Sequence, residues 1–547
     1  MTQSWPGHKL PYLVNPITRR RFGLGALGAS LAATLRPGYS LADEATPKRG
    51  GTLVMVLDGD PPTLNPDVTT GVPDVLTGDL MLEGLTRIDH TLQAVPNLAK
   101  AWTISPDNIR YTFDLVEASW HDGRPFTSAD VKFTLERVSG KFGAKFGAAA
   151  SHIKSVETPN ERTVVLTLDK PFGPLLFSLS NYTNAAILPA HVYGDADVLS
   201  HPATVSKPIG TGPFMFKEWV RGDHITLVRN PNYWRKGMPY LDQVTLKIIP
   251  DPASRVLALK TGEVDYCYFY FFPTSRFPEI EHDPNLHWRE QGPPEDHLIL
   301  INTRAAPFSD KHVRQALLCA IDREFIRKAV YQGIGKVMDS AINSNLAWAV
   351  NPDVSLAKLY PYDPERAKSL LDTAGLKPKA DGTRFDLRLV YDSTAGGNDR
   401  LAQVLQNFWQ KIGVRTVLQG STRSIELKQV YTDWDFDATL QAYSTAGDPA
   451  LGVSRLYVSS AIRKAPFVNA SGYSNPEIDR LFAEGGDATA TEGRARAYRQ
   501  AQVILAEDLP VLPIWQTSLI NVATRRVQGK WSWGTGYEFW EEVWLEG

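Results

Sequence analysis

The residue types that carry covalent or metal chemistry are present in this chain, but they fall into no catalytic spacing. The eleven histidines show no close metal-ligand spacing, and the two cysteines, Cys267 and Cys319, form no CxxC pair. No GxSxG elbow and no HExxH helix occurs, so serine and zinc hydrolases lack their marks. Paired carboxylates that a secreted hydrolase would recruit are Glu541 with Glu542 and Glu426 with Asp433, although adjacent acids in an aromatic tail are more often surface groups. The chemistry on offer is non-covalent recognition. Fourteen Trp, twenty Tyr and twenty-two Phe supply rings that serve either as core or as stacking walls of a cleft. Residues 263–272, EVDYCYFYFF, are aromatic at six of ten positions, more than a single buried face needs. Some of Tyr266, Tyr268, Phe269, Tyr270 and Phe271 are therefore expected to project into a cleft.

These side chains need elements to position them. Residues 51–57, GTLVMVL, read as a buried strand running into Asp58-Gly59-Asp60-Pro61-Pro62, where Asp58 and Asp60 are either ligand contacts or parts of an ordinary turn. Residues 79–89 suggest a helix ending at Gly84 and then a strand. Thr127 or Ser128 caps a helix over residues 129–138. Residues 207–234 hold a turn rich in Gly and Pro, then two alternating strands around Arg221-Gly222-Asp223, a hairpin that must belong to a larger sheet. Further on, the order strand (384–391), helix (399–412), strand (414–419) indicates a parallel sheet with a right-handed crossover. Another strand covers residues 436–443, and the helix over residues 494–507 precedes a strand at 511–515.

A chain of 547 residues exceeds one core and should divide into two or three domains. Its start carries Arg19-Arg20-Arg21-Phe22, a modestly apolar run, and small residues at Ser40-Leu41-Ala42, the pattern of an export signal with a twin-arginine-like motif. The apolar run is too short and glycine-rich to span a bilayer. Removing residues 1–42 takes away five cations and no acid, moving the net charge from −2 to −7. That balance argues against a nucleic-acid partner. The mature protein is expected to be periplasmic and soluble, without a stable membrane anchor.

Glu83-Gly84-Leu85, Pro96-Asn97-Leu98-Ala99-Lys100-Ala101-Trp102, Asp122-Gly123-Arg124-Pro125-Phe126-Thr127, Gly210-Thr211-Gly212-Pro213-Phe214, Asn230-Pro231-Asn232-Tyr233-Trp234 and Ala320-Ile321-Asp322-Arg323 occur in that order. Each is a weak pattern alone. Together they resemble solute-binding protein family 5, the dipeptide, oligopeptide and nickel binding proteins of ABC importers. The resemblance implies an α/β periplasmic-binding-protein clamshell of two hinged lobes plus an inserted β-rich subdomain. The first lobe would combine residues 43–90, 207–292 and 513–547, the insertion residues 91–206 and the second lobe residues 293–512. It also implies a monomer that captures a peptide or small-molecule ligand and delivers it to ABC permease transmembrane subunits with their cytoplasmic ATPase. No catalysis and no cofactor are implied. A sensor partner presenting ligand to a membrane receptor would use the same fold. Nickel occurs within the family, but here a chelate would have to bring the metal.

In the family's peptide binders an aspartate four residues before a loop proline holds the ligand's α-amine. Here the loop reads Gln441-Ala442-Tyr443-Ser444-Thr445-Ala446-Gly447-Asp448-Pro449, so Thr445 takes that place. A hydroxyl cannot replace the charge, and a charge-assisted hydrogen bond contributes about 1.5–3 kcal/mol. The amine is then held by Asp448, Asp58 or Asp60, or the ligand is less cationic. Asp448 either meets ligand or braces its own turn. Tyr182, Phe269, Phe271, Trp409, Tyr443 and Trp515 are the candidate aromatic walls, with helix packing the alternative for Trp409. Arg304 and Arg423 either pair with a ligand carboxylate or act as solvated or interdomain cations.

Overall fold

The structure, a computed structural model, describes residues 46–291, 295–531 and 539–547, and residues 47–547 form one compact unit. The export signal expected over residues 1–42 lies outside the described residues. Strand β1 (Thr52–Leu57) enters the core with Leu53, Met55, Val56 and Leu57 fully buried. The helix expected to end at Gly84 lies earlier, over Val72–Gly78. Gly84 instead bridges to Ala186, and a Cβ there would come within 2.8 Å of the Leu179 carbonyl oxygen. The glycine answers a close backbone approach, not a helix stop.

A short ribbon of β2 (Thr86–Ile88) and β3 (Ala94–Pro96) leads to β4 (Ala99–Ile104), β5 (Arg110–Leu115), β6 (Ile153–Asn160) and β7 (Thr163–Leu168). The last four form an antiparallel sheet in the order β4-β5-β7-β6, with its own core around Tyr111, Phe113, Trp120 and Phe126. The helix Ser128–Thr134 beside it starts with the capping box expected from Thr127, which Asp130 completes.

The predicted hairpin is β8 (Phe214–Val220) and β9 (His224–Arg229). It pairs antiparallel with β10 (Gln243–Ile248), which runs parallel to β1 from Thr52–Gln243 to Leu57–Ile248. Next come β11 (Tyr266–Cys267) and β12 (Leu286–Gln291). Then β13 (Glu295–Ile301) opens a second sheet with β14 (Lys336–Val337), β15 (Phe385–Asp392), β16 (Val414–Ser421), β17 (Ala438–Ser444) and β18 (Val511–Gln516), in the order β14-β18-β13-β17-β15-β16. β15 and β16 are parallel along their whole length, joined by the helix Asn398–Gln410, as the strand–helix–strand pattern requires. β19 (Leu519–Thr524) then returns to the first sheet, giving β12-β19-β11-β1-β10-β9-β8, and β20 (Val527–Gly529) pairs with β21 (Val543–Leu545).

The chain thus passes between two α/β lobes twice, after β12 and after β18. The two crossings are bonded to each other: the Thr517 amide donates to the Glu295 carbonyl at 3.0 Å. Among the described residues no helix is long and apolar enough to cross a membrane.

Candidate functional site

β17 ends at Ser444 and delivers the loop that the sequence marks as informative. Thr445 is only 2% exposed, and its hydroxyl has no hydrogen-bond partner among the described residues. Two glycines seal the loop. A Cβ at Gly452 would lie 2.1 Å from the Thr445 carbonyl carbon, and one at Gly447, where φ is +75°, would lie 2.3 Å from Phe177 Cζ. Phe177 meets Tyr182 edge-on at 5.6 Å, so this second-lobe loop rests on aromatic residues that precede the predicted hairpin in the chain.

Asp448 is bonded within its own lobe. Both its oxygens accept from Arg494, from Nη1 and Nη2 at 2.7 Å each, and Oδ1 also accepts from the Ala450 amide at 2.8 Å. The pair is buried, and of the two readings the bracing one describes its geometry. Asp60 is likewise committed, accepting from Trp219 Nε1 and the Gly222 amide at 2.8 Å each, which ties the first loop to the hairpin turn. Asp58 is exposed at the end of β1.

Among the aromatics, Tyr443 is buried, its hydroxyl 2.5 Å from that of Tyr431 and 3.3 Å from the Val468 carbonyl. Burial pushes its phenol well above the ordinary range. Tyr182 carries the Lys145 ammonium 4.8 Å over its ring, and Lys145 Nζ donates to the Tyr182 carbonyl at 3.1 Å. Phe269 and Phe271, expected to face a cleft, are buried, while Tyr270 between them is 44% exposed. The Phe269 amide donates to Asn521 Oδ1 at 3.0 Å, which ties this turn to β19. Trp409 belongs to the second-lobe core, with Nε1 donating to the Leu317 carbonyl at 3.1 Å. Trp515 stacks flat on Tyr331 at 3.7 Å and donates from Nε1 to the Ile334 carbonyl at 2.9 Å. One continuous apolar cluster joins Tyr182, Phe269 and Phe271 to Tyr443, so the two lobes share a core across their contact.

Beside this contact, a cavity of 280 Å³ opens where β15, β16 and β17 end, lined by His297, Asp392, Asn398, Arg423, Gln441 and Ala442. The carboxyl ends of parallel strands are where α/β sheets leave a crevice. Arg423 sits at its wall with Nη1 3.1 Å from Glu426 Oε2, and its guanidinium lies 5.1 Å over Phe467. Gln441 donates from Nε2 to Glu426 and to Thr439 Oγ1, while its Oε1 is buried without a partner among the described residues. Burial raises the Glu426 carboxyl, against the pull of Arg423 and the Gln441 amide. His297 is held neutral, pushed down to about 4 by burial. Arg304, the other arginine of interest, stacks 4.1 Å over Trp434 and donates to the Ala470 carbonyl at 2.7 Å. A larger cavity of 610 Å³, lined by Arg323, Arg327, Lys336 and Tyr362, includes none of these groups.

No sequence pattern singles out Glu295 or the side chain of Gln441. Glu295 opens β13 opposite Ser444, in the crossing itself, and burial raises its carboxyl. Asp296 beside it accepts from Asn343 Nδ2 at 2.6 Å and is pushed up to about 7 by burial. Among the described residues no group of three or more His, Cys, Asp or Glu could hold a metal ion.

Comparison with known proteins agrees with this architecture. A family model described as bacterial extracellular solute-binding proteins, family 5 Middle, matches residues 93–464. The oligopeptide-binding protein AppA of Bacillus subtilis is 30% identical over 477 residues, covering 85% of this chain and 86% of that protein. Heme-binding protein A of Haemophilus influenzae is 31% identical over 475 residues, covering 83% and 84%. The solved structure of HbpA2 from Haemophilus parasuis superposes with a TM-score of 0.81 at 26% identity, over 91% of this chain and 100% of that one. The fold is the periplasmic-binding-protein clamshell of two α/β lobes.

Proposed function

Because the chain belongs to the bacterial extracellular solute-binding proteins of family 5, we propose that it captures a peptide-like or small polar solute between its lobes and passes it to the permease subunits of an ABC importer. In this reading residues 43–90, 207–292 and 513–547 make the first lobe, residues 91–206 the insertion and residues 293–512 the second lobe. The two bonded crossings are the hinge about which the lobes close. The protein is exported, and the solute leaves it chemically unchanged.

The observation that carries the reading is the loop after β17. It packs on Phe177 across the lobe contact, yet keeps the Thr445 hydroxyl buried without a partner among the described residues. A buried polar atom without a partner costs about 1–3 kcal/mol, and a ligand atom at this contact would supply the partner. Tyr182 and Thr445 then line the ligand. Tyr443 supports them from below, and Arg423 with Gln441 offers a cationic and polar recess for an anionic or carbonyl group. The named ligands of the relatives, an oligopeptide and a heme, differ in chemistry, so the ligand class rests on this chain's own groups. Isothermal titration of the purified protein with peptides and polar metabolites, followed by mass analysis of the recovered solute, tests the proposal. Tight binding with unchanged solute supports it, and turnover of the solute rejects it.

A further inference from the structure

We infer that the cavity beside β12 and the chain just after β19 is a second binding site, one that takes a small phosphate-type anion, either a free phosphate or the headgroup of an anionic lipid. It is separate from the lobe contact. Every residue of its lining lies before the first crossing or after the second. The ladder runs from Leu286–Thr524 to Gln291–Leu519, and the cavity opens at the end away from the crossings. The inference is independent of the solute that the lobes hold.

The cavity measures 400 Å³, and its lining includes Glu281, Asp283, His287, Trp288, Arg289 and Arg525. The ladder sets the cations on one face. His287 pairs with Ala523 and Arg289 with Asn521, while the Arg525 amide donates to the Asn285 carbonyl at 2.9 Å and extends the register. Side chains two apart share a face, so the imidazole lies between one guanidinium along its own strand and another diagonally across the ladder. Arg525 reaches over the turn before β12, its Nε donating to the Pro284 carbonyl at 3.4 Å. Trp288, on the other face of β12, is fixed edge-on to Phe277 at 4.7 Å and donates from Nε1 to the Glu281 carbonyl at 3.3 Å. Among the described residues neither guanidinium has a carboxylate partner, although both arginines are exposed and two acids share their cavity. Asp283 is engaged in its own turn, where Oδ1 accepts from the Asn285 amide at 2.9 Å, and Glu281 Oε2 lies 3.9 Å from His282 Nε2. The Nε2 atom of His287 is buried and without a partner among the described residues, and its ring packs 4.5 Å from that of Trp531. Burial, together with the Arg525 and Arg289 charges, pushes this imidazole down to about 4, which leaves a neutral ring free to carry its proton on Nε2. A phosphate monoester brings about two negative charges and three strong acceptor oxygens. These match two guanidinium forks and one N–H. Glu281 and Asp283 beside them repel a longer polyanion and limit the site to a single phosphate.

The test compares the exported wild type with the single variants Arg289→Gln and Arg525→Gln, each checked for its fold by circular dichroism. Inorganic phosphate is titrated calorimetrically at constant ionic strength. Sedimentation with phosphatidic acid vesicles, against neutral phosphatidylcholine vesicles, reads binding to a headgroup. The expected result is one saturable phosphate site, weakened about tenfold to a hundredfold in each variant. Phosphate binding without vesicle binding assigns the site to a soluble phosphate. Retention on phosphatidic acid vesicles that phosphate displaces, and that the variants lose, assigns it to a headgroup. A wild type that binds neither probe, or binding that both variants leave unchanged, overturns the inference. Phosphate binding lost in Arg423→Gln but kept in both variants also overturns it, because the anion then lies in the recess at the lobe contact. Each of these outcomes leaves the solute-binding reading standing.

Discussion

Arg494 grips Asp448 with two nitrogens, each 2.7 Å from a different carboxylate oxygen, and both residues are buried. The arginine comes from the long helix Thr491–Asp508 and the aspartate from the loop after β17, so the pair fixes that loop against the body of its own lobe. Arg494 also donates from Nε to the Gly485 carbonyl at 2.8 Å, and its guanidinium lies 5.0 Å over Trp348. Contacts within the second lobe thus hold the loop.

Replacing Asp448 by Ala strands a buried guanidinium. Breaking a buried pair from one side costs about 3–5 kcal/mol. Urea unfolding of Asp448→Ala is expected to show a loss of that size. A loss below about 1 kcal/mol would mean that the pair is not a brace.

Thr445→Val keeps the side-chain shape and removes the unbonded hydroxyl. In ligand-free protein the change is expected to be neutral or stabilising by about 1 kcal/mol, since nothing among the described residues bonds that oxygen. Solute affinity, read by titration, should fall. Unchanged affinity would take Thr445 out of the ligand's reach.

Tyr443→Ala removes a ring from the shared core. A large-to-small change of this kind costs about 3–5 kcal/mol, so thermal unfolding should shift well down. Tyr443→Phe keeps the ring and breaks the bond to Tyr431 at a cost of about 1 kcal/mol. Similar stability for wild type and the Ala variant would contradict the burial.

Asp67 gives a pH prediction. Burial, against hydrogen bonds from Ser139 and the Ala186 amide, raises its carboxyl from 3.8 to about 7. Its native pKa lies above the unfolded one, so the native state holds the extra proton and the contribution is full below about 3.8. It is lost as the pH rises toward about 7. Asp67→Asn cannot lose that proton. The stability of the variant relative to wild type should therefore increase between pH 4 and pH 7 in urea titrations, and a flat difference would place the Asp67 carboxyl in the ordinary range.

Much of the scaffold was legible in the chain. Gly and Pro punctuation marked the hairpin β8–β9, period and stop signals marked the β15–β16 crossover, and Thr127 with Asp130 announced a capped helix. The site was less legible, because its decisive partners are remote in sequence. Arg494 lies 46 residues beyond Asp448, and nothing local says that the two meet. The aromatic run misled for a similar reason: Phe269 and Phe271 are buried in a turn tied to β19 by Asn521, a contact that only the fold creates. Trp409 sits on the apolar face of an amphipathic helix, and its periodicity fits packing as well as it fits a cleft. Glu295 escaped notice because a single acid at a strand start carries no pattern. Only the fold shows Ser444 opposite it, at the crossing between the lobes.

Closure of the lobes on a solute that leaves unaltered is open to direct measurement. Native mass spectrometry of the exported protein, followed by denaturation and identification of what is released, tests this most directly. The expected result is one small polar or peptide-like molecule per chain, identical in mass to the compound that rebinds to the emptied protein. Release of a converted product, or an emptied protein that binds no solute, would contradict it.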